Sequence, residues 1–293
     1  MNYYNEIKQE LLNNETYKKV KDYSKNRSDL ETYYNVGKLL SEAGKHYGEG
    51  IIKEYSKKLT IELGKGYSKR NLWLMLKFYE TKEKMQTLSA QLTWSHYCEL
   101  LRIKDINIIN YYINITIKQN LSVRELRNKI KNKEYERLDD KTKHKLMVQE
   151  HEKIEDFIKN PILIRNSYKD IISEKLLKQL ILEDIDNFLS ELGEGFSYIK
   201  NEYKIKLGDR YNYIDLLLYN IKYNCYVVVE LKVTELIKEY IGQIKLYMNY
   251  IDKNVKEMRQ DKTIGIIICK KDNVFVMEYC SDERIYRMIY ECI

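Results

Sequence analysis

Two carboxylates and a lysine lie inside segments whose other residues are typical of buried β-strands. Residues 213–219 (YIDLLLY) contain Asp215, and residues 226–232 (YVVVELK) contain Glu230 and end at Lys232. Because an unpaired charge is costly to remove from water, these side chains need a compensating partner. A divalent metal ion is a common partner for two acids, and acids, metal and lysine together can cleave phosphodiesters. The pattern therefore predicts metal-assisted phosphodiester hydrolysis.

The spacing of these residues indicates that they converge. Side chains alternate across a strand, so Glu230 and Lys232 point to the same face. The polar segment 220–224 has the length of a hairpin connection, and pairing residue 220 with 225 would place Asp215 opposite Glu230. Their Cβ atoms would then be about 5 Å apart, a like-charge pair that destabilises a sheet unless a cation lies between them.

A simpler alternative is an edge hairpin whose polar face is in water. It accounts for Asp215 and Glu230 separately, but it does not account for their convergence with a lysine. Lys232 could also be a strand terminus whose ammonium reaches solvent.

Length and composition indicate which class of protein the chain belongs to. The chain has 293 residues, 44% of them hydrophobic and 32% charged, which is typical of a globular protein of two domains. Residues 1–150 hold 29 basic and 20 acidic side chains, whereas the remaining residues hold 22 and 24. The basic excess of the first half favours an anionic partner, with nucleic acid first, although an ordinary solubilising surface would have the same composition.

Cysteine and histidine usage narrows the chemistry. The five cysteines show no C-x-x-C spacing, and the chain shows neither a signal peptide nor a membrane-spanning run, so we expect a cytoplasmic protein without membrane attachment. None of the four histidines lies beyond His151. A C-terminal active site therefore has no imidazole base or ligand, which leaves carboxylate–metal chemistry.

The first 135 residues have the periodicity of short helices separated by turns. Ser68 and Ser122 are predicted N-caps, the second within a capping box with Glu125. These helices would carry basic first turns, and we expect a helix-turn-helix-like domain that binds nucleic acid. The candidate contact residues are Lys69, Arg70, Asn71, Arg124 and Arg127. Solvated helix surfaces are the alternative interpretation of these basic residues.

The second half alternates between helix and strand patterns. We predict one helix over 173–192, strands over 196–206, 212–219 and 225–232, and a helix over 235–250. An apolar strand at 263–269, a strand near 274–278 and a helix from about 282 would follow. Residues 131–156, dense in charge of both signs, are predicted to connect the two halves, and Phe157 is the first core residue after them.

Several motifs in the chain are similar to those of a known family. The N-terminal half contains YGEGII at 47–52, GKGYSKRNL at 64–72, TWSHY at 93–97 and SVRELR at 122–127. The C-terminal half contains FLSELG at 188–193, YIDLL at 213–217, VELK at 229–232, EYIGQ at 239–243 and IGIIIC at 264–269. With these motifs the chain resembles the YhcG-type PD-(D/E)XK nuclease family over nearly its full length.

The resemblance implies a two-domain α+β protein. Residues 1–150 would form an all-α, helix-turn-helix-like domain that binds nucleic acid. Residues 151–293 would form a restriction-endonuclease-like α/β domain, with a central mixed sheet in an αβββαβ core.

The resemblance also implies the site residues. Asp215, Glu230 and Lys232 take the signature positions. The acids and the carbonyl of Leu231 would bind Mg²⁺ or Mn²⁺, and Gln243 and Tyr247 match a Q-x-x-x-Y element. A helix surface position for Gln243 and a core position for Tyr247 are the alternatives.

One position departs from the family pattern. The family usually has an acid on the first core helix, where this chain has Lys178. Glu174 and Glu183 lie nearby on the same predicted helix. Glu183 flanks the apolar stripe at helical spacing, and which of the two glutamates replaces the family's acid stays open.

The predicted function is a metal-dependent nuclease acting on DNA more readily than on RNA. Cutting both strands of a duplex would need two such sites and hence a homo-oligomer. Two alternatives remain: a catalytically inactive nuclease fold that serves as a DNA- or RNA-binding or assembly protein, and an enzyme of the same scaffold directed at RNA.

Overall fold

The computed structural model describes residues 3–20, 25–48, 50–82, 84–85, 91–148, 156, 158–166, 173–280 and 282–293. Within these ranges the chain divides into two compact units, Met1–Tyr135 and Glu136–Ile293. The predicted domain boundary between 150 and 151, His151, Phe157 and most of the carboxyl end of the predicted connecting segment lie outside the described residues. In the part of the chain that the structure describes, every helix is too short or too polar to cross a bilayer.

The N-terminal unit is helical. Its elements are α1 (Tyr3–Val20), α2 (Lys25–Tyr47), α3 (Ile51–Leu63), a 3-10 turn (Lys65–Tyr67), α4 (Lys69–Lys82), α5 (Trp94–Leu100), α6 (Ile106–Gln119) and α7 (Val123–Lys131). The apolar positions of α1 to α4 form one buried cluster that includes Ile7, Val36, Leu40, Leu59 and Leu72. The predicted capping box is present, with the Ser122 side chain accepting from the Glu125 amide and the Glu125 side chain accepting from the Ser122 amide.

The C-terminal unit surrounds a mixed sheet. Its elements are α8 (Asp140–Val148), β1 (Ile162–Ile164), α9 (Glu174–Glu183), α10 (Ile185–Leu192), β2 (Phe196–Leu207), β3 (Arg210–Asn220), β4 (Cys225–Leu231), α11 (Lys238–Asn254), β5 (Ile264–Cys269), α12 (Val274–Cys280) and β6 (Ile285–Cys292). The described strands are ordered β1-β6-β5-β4-β3-β2. β2, β3 and β4 pair antiparallel, whereas β4, β5, β6 and β1 pair in parallel.

The two faces of the sheet are covered by different helices. Val227, Val229 and Leu231 of β4 pack with residues of α9 and α10 in one buried cluster. Val228 packs with residues of α11 in the other cluster. Both faces are therefore buried, which explains why the central strands are almost wholly apolar.

The predicted helix over 173–192 is in fact two helices, so that prediction was wrong. Ser173 caps α9, its side chain accepting a hydrogen bond from the Leu176 amide. Asp184 leaves the helical conformation, with φ −132° and ψ 53°, and α10 begins at the next residue. The apolar stripe continues across the break because both helices pack on the same face of the sheet.

The last two predicted elements were assigned the wrong way round. Residues Val274–Cys280 are helical, although their composition favours a strand, and Ile285–Cys292 form a strand rather than a helix. The reason is tertiary: β6 pairs in parallel with β5 on one side and with β1 on the other. The three-residue strand β1 was not anticipated by the sequence analysis.

Candidate functional site

The hairpin of β3 and β4 has the predicted register. Asn220 pairs with Cys225, and the ladder continues to Leu216 opposite Val229. Asp215 and Glu230 are the next residues on the two strands, so the hairpin brings the two acids together at the point where the ladder ends.

Asp215 is held by two groups at this point. Its Oδ2 accepts a hydrogen bond of 3.0 Å from the Leu231 amide, and its Oδ1 lies 3.3 Å from Lys178 Nζ. The side chain is 18% exposed. The carboxylate is therefore fixed at the surface of the sheet, beside the strand that carries the second acid.

Glu230 is buried at the centre of the site, with a side chain only 2% exposed. Its Oε2 lies 3.4 Å from Lys232 Nζ, while its Oε1 has no hydrogen-bond partner among the described residues. Burial, followed by the charge of Asp215, raises the pKa of Glu230 to about 8, although Lys232 offsets part of this rise. In the absence of a cation this carboxyl group therefore keeps its proton through most of the neutral range.

Lys232 lies between two acids. Its ammonium is 3.4 Å from Glu230 Oε2 and 3.5 Å from Glu174 Oε2, and it stands 5.1 Å from the ring centroid of Tyr240. Burial lowers the pKa of Lys232, but the charges of Glu230, Glu174 and Asp215 outweigh burial and raise it overall. Lys232 is therefore a fixed positive charge at the end of β4.

Gln243 and Tyr247 form a pair on α11. Gln243 Nε2 donates a hydrogen bond of 3.1 Å to Tyr247 Oη. Burial raises the pKa of Tyr247, and the charges of Glu230 and Asp215 raise it further. The tyrosine is therefore within electrostatic range of the two acids, and it also packs in the buried cluster between α11 and the sheet.

Lys178 has a structural role that the sequence did not reveal. Its ammonium lies 2.9 Å from Glu202 Oε1 as well as 3.3 Å from Asp215 Oδ1, and its side chain is 16% exposed. Burial lowers the pKa of Lys178, but Glu202 and Asp215 raise it overall. Glu202 was not predicted, because nothing in an exposed strand position marks it as a partner of a residue 24 positions earlier.

Of the two acids considered for the first core helix, one is at the site. Glu174, in the first turn of α9, contacts Lys232. Glu183 is exposed at the other end of that helix and accepts a hydrogen bond from Gln179. Of the two glutamates left open by the sequence, Glu174 is therefore the one that lies beside Lys232.

The residues present fit a divalent cation in part. The unpartnered Oε1 of Glu230 is a buried oxygen in need of a positive partner, and Asp215, Glu230 and the Leu231 carbonyl are hard oxygen donors suited to Mg²⁺ or Mn²⁺. Among the described residues, no group of three or more His, Cys, Asp or Glu side chains is arranged as a metal site. A cation here would thus depend on two carboxylates.

The basic residues predicted to contact nucleic acid lie in the first turns of α4 and α7. Lys69, Arg70 and Arg124 are exposed. Asn71 is partly buried, and its Nδ2 donates to the Gly66 carbonyl at 2.7 Å, which holds the turn before α4. Arg127 is exposed, but its guanidinium forms an ion pair with Glu99.

The ion pair of Arg127 connects it to Glu99 on α5. Its Nη2 lies 2.8 Å from Glu99 Oε1, and Arg102 Nη1 lies 2.7 Å from the other oxygen of the same buried glutamate. Arg127 therefore links α7 to α5 within the N-terminal unit. Lys69, Arg70 and Arg124 are the better candidates for an external phosphate.

Two family models match the chain. The model described as the YhcG PDDEXK nuclease domain matches residues 155–290, and the model described as the DUF1016 N-terminal domain matches residues 6–137. The Escherichia coli (strain K12) protein named "Putative nuclease YhcG" is 26% identical, in a match that covers 81% of this chain and 76% of that protein.

Two solved structures also match part of the chain. A repair endonuclease from Pyrococcus abyssi is 22% identical over 44% of this chain and 49% of its own, with a TM-score of 0.30. The EndoMS–dsDNA2 complex is 18% identical over 44% of this chain and 48% of its own, with a TM-score of 0.29. The match spans about half the length of each of these two chains.

The family models cover both units and bear out the resemblance drawn from the motifs, and the nuclease domain is of the PDDEXK type, which generally uses divalent metal ions. The chain therefore carries a YhcG-type PDDEXK nuclease domain over residues 155–290 and a DUF1016 N-terminal domain over residues 6–137.

Proposed function

We propose that this protein is a Mg²⁺-dependent endonuclease that hydrolyses phosphodiester bonds in DNA. The observation that carries the proposal is Glu230: a buried carboxyl group beside Asp215, with one oxygen unpartnered and a pKa raised to about 8. Burying such a group without compensation is costly, so its retention favours a cation that binds it.

Each residue of the site has a distinct role in this proposal. Asp215, Glu230 and the Leu231 carbonyl would hold the cation, which when bound lowers the pKa of a water molecule and polarises the scissile phosphate. Lys232 is fixed by Glu230 and Glu174 and would stabilise the negative charge that grows on the phosphate.

Gln243 would act from the neighbouring helix. Its amide nitrogen is occupied by Tyr247, which leaves its carbonyl oxygen to accept a hydrogen bond from the attacking water and so to orient it. Because Tyr247 is buried in the core, it fixes the rotamer of Gln243.

We also propose that residues 1–150 bind the nucleic acid and residues 151–293 cut it. Lys69 and Arg70 lie in the first turn of α4, where positive side chains oppose the helix dipole. A bound phosphate would reverse that penalty, because the free amides and both cations would then face a negative charge.

Cleavage assays on the full-length protein test the nuclease proposal. Metal-free protein would be incubated with supercoiled plasmid, single-stranded DNA and RNA, with Mg²⁺ or with a chelator, comparing wild type, Lys232→Met and Lys253→Met. Lys253 is the control, because it is an exposed lysine at the far end of α11.

The expected result is Mg²⁺-dependent cleavage of DNA by wild type and Lys253→Met. Loss of the fixed charge in Lys232→Met should reduce the rate by about 10²–10³-fold, the usual effect of removing one preorganised charge-stabilising group. Equal rates for wild type and Lys232→Met would show that the assigned site is wrong.

A further inference from the structure

Lys178 places a positive charge directly beside Asp215. Its ammonium is 3.3 Å from Asp215 Oδ1 on β3 and 2.9 Å from Glu202 Oε1 on β2. The lysine comes from α9, so three separate elements converge on this one positive charge. Asp215 thus already has a fixed cationic partner in the protein itself.

Lys232 has the equivalent position beside the second acid, Glu230. It contacts Glu230 and also Glu174, which comes from the first turn of α9. The two acids that could extend the site beyond Asp215 and Glu230 are Glu174 and Glu202, and each of them is paired with a lysine. Across the described ranges, no third His, Cys, Asp or Glu completes a metal-binding group.

A centre with two metal ions has requirements that this arrangement does not meet. Two ions about 3.5–4 Å apart need oxygen ligands for both, and carboxylates usually supply them. Here the four carboxylates around the site face two lysines, which leaves two negative charges when all the groups are ionised. One divalent ion neutralises that remainder, whereas a second would leave a partly buried excess of positive charge.

We propose that this site binds a single divalent ion and that the ammonium of Lys178 takes the place of a second one. This inference rests on the proposed function. In it, Lys178 holds Asp215 in position through Oδ1 and supplies the second positive charge that faces the scissile phosphodiester. The substrate phosphate is thus held between one metal ion and two lysines.

Counting bound Mn²⁺ tests this inference directly. The full-length protein would be titrated with Mn²⁺, and free Mn²⁺ would be measured by electron paramagnetic resonance, with calorimetry giving the affinity. Wild type, Lys178→Glu and Lys175→Glu would be compared, with thermal unfolding to confirm that each variant is folded. Lys175 is exposed on the same helix, and its variant makes the same charge change while the ammonium of Lys178 stays beside Asp215.

The expected counts differ between the variants. Wild type and Lys175→Glu should each bind one Mn²⁺, and Lys178→Glu should bind two, because the new carboxylate replaces the ammonium beside Asp215. If wild type binds two ions, or if Lys178→Glu still binds one, the inference is overturned.

A milder variant keeps the test decisive if Lys178→Glu does not fold. Lys178→Gln should still bind one Mn²⁺, about tenfold more tightly, since a positive charge beside Asp215 has been removed. An unchanged or weaker affinity would contradict the inference. Wild-type protein that binds no Mn²⁺ would remove the proposed metal dependence as well, whereas two bound ions would leave that function standing and remove only the role of Lys178.

Discussion

The amide of Leu231 donates a hydrogen bond of 3.0 Å to Asp215 Oδ2, across the point where β3 and β4 stop pairing. This contact replaces a ladder hydrogen bond with a bond to a side chain. It holds the carboxylate of Asp215 beside the residue that separates Glu230 from Lys232. The three residues of the site are thereby tied to one short stretch of backbone.

The first prediction separates this structural contact from metal binding. Asp215→Asn keeps an oxygen that can accept from the Leu231 amide, but it loses the charge that a cation needs. We expect its free energy of unfolding, measured with urea in the presence of a chelator, to stay within about 1 kcal/mol of wild type. Its Mn²⁺ affinity, measured by calorimetry, should fall at least about 100-fold, which corresponds to a loss of about 2.8 kcal/mol of binding free energy. Retention of wild-type affinity would exclude Asp215 as a ligand.

The second prediction concerns pH. Burial raises the pKa of Glu230 to about 8 in the metal-free protein, so below pH 8 a metal ion must displace a proton from this carboxyl group. Mg²⁺ affinity should therefore rise about tenfold per pH unit between pH 6 and 7.5 and level off above pH 8. Calorimetry in buffers of different ionisation enthalpy would measure the proton released.

The matched control for this pH dependence is Glu230→Gln, which is neutral at every pH. Any Mg²⁺ affinity that it retains should lose the proton release seen in wild type. A wild-type affinity that is flat from pH 6 to 8 would show that Glu230 does not exchange its proton for the metal.

The third prediction concerns the stability of the nuclease unit. Arg137 forms a bidentate ion pair with Glu191, and both side chains are buried; Arg137 also donates to the Pro161 carbonyl at 2.7 Å. Removing one partner leaves an unpaired buried charge, so Arg137→Met should lower the free energy of unfolding by about 3–5 kcal/mol. Chemical denaturation of the full chain would measure the change.

An exposed ion pair provides the control for that experiment. Arg259 pairs with Glu257 while its side chain is 83% exposed. Arg259→Met should therefore change the free energy of unfolding by less than about 1 kcal/mol. If the two substitutions lower the free energy of unfolding equally, the buried Arg137–Glu191 pair stabilises the protein no more than an exposed pair does.

The fourth prediction concerns the N-terminal unit. If Lys69 and Arg70 bind phosphates, replacing both with alanine should weaken duplex DNA binding by the full-length protein. The slope of log K against log[salt] should become shallower by about 1–2, since each lost phosphate contact removes about 0.9. The control is Lys57→Ala, because Lys57 is an exposed lysine on α3. This substitution should change the slope by no more than about 0.9, the value for one phosphate contact. An unaltered slope in the double variant would place the DNA contacts elsewhere.

Much of the site could be predicted from local sequence because its geometry is local. The polar connection at 220–224 set the hairpin register, and the two-residue period of a strand then placed Glu230 and Lys232 on one face. The four-residue spacing of Gln243 and Tyr247 likewise places them together on one helix. In each case neighbours in space are separated by few residues in sequence.

The remaining features depend on contacts between distant parts of the chain. Lys178 meets Asp215 across 37 residues, and no local pattern marks the pair. The composition of Val274–Cys280 favours a strand, yet the sheet has its sixth strand from Ile285–Cys292, which finds a partner on each side. Arg137 pairs with Glu191, 54 residues away, and both residues lie in the compact unit Glu136–Ile293. The assignment of binding to 1–150 and cleavage to 151–293 stays a prediction.

Metal binding by Asp215 and Glu230 is tested most directly by anomalous diffraction from a crystal of the protein grown with Mn²⁺. We expect one strong peak in the nuclease domain, within coordination distance of Asp215 and Glu230 carboxylate oxygens and beside Lys232. No peak at these two acids in Mn²⁺-saturated crystals, or a peak coordinated by other residues, would show that Asp215 and Glu230 do not form the metal site.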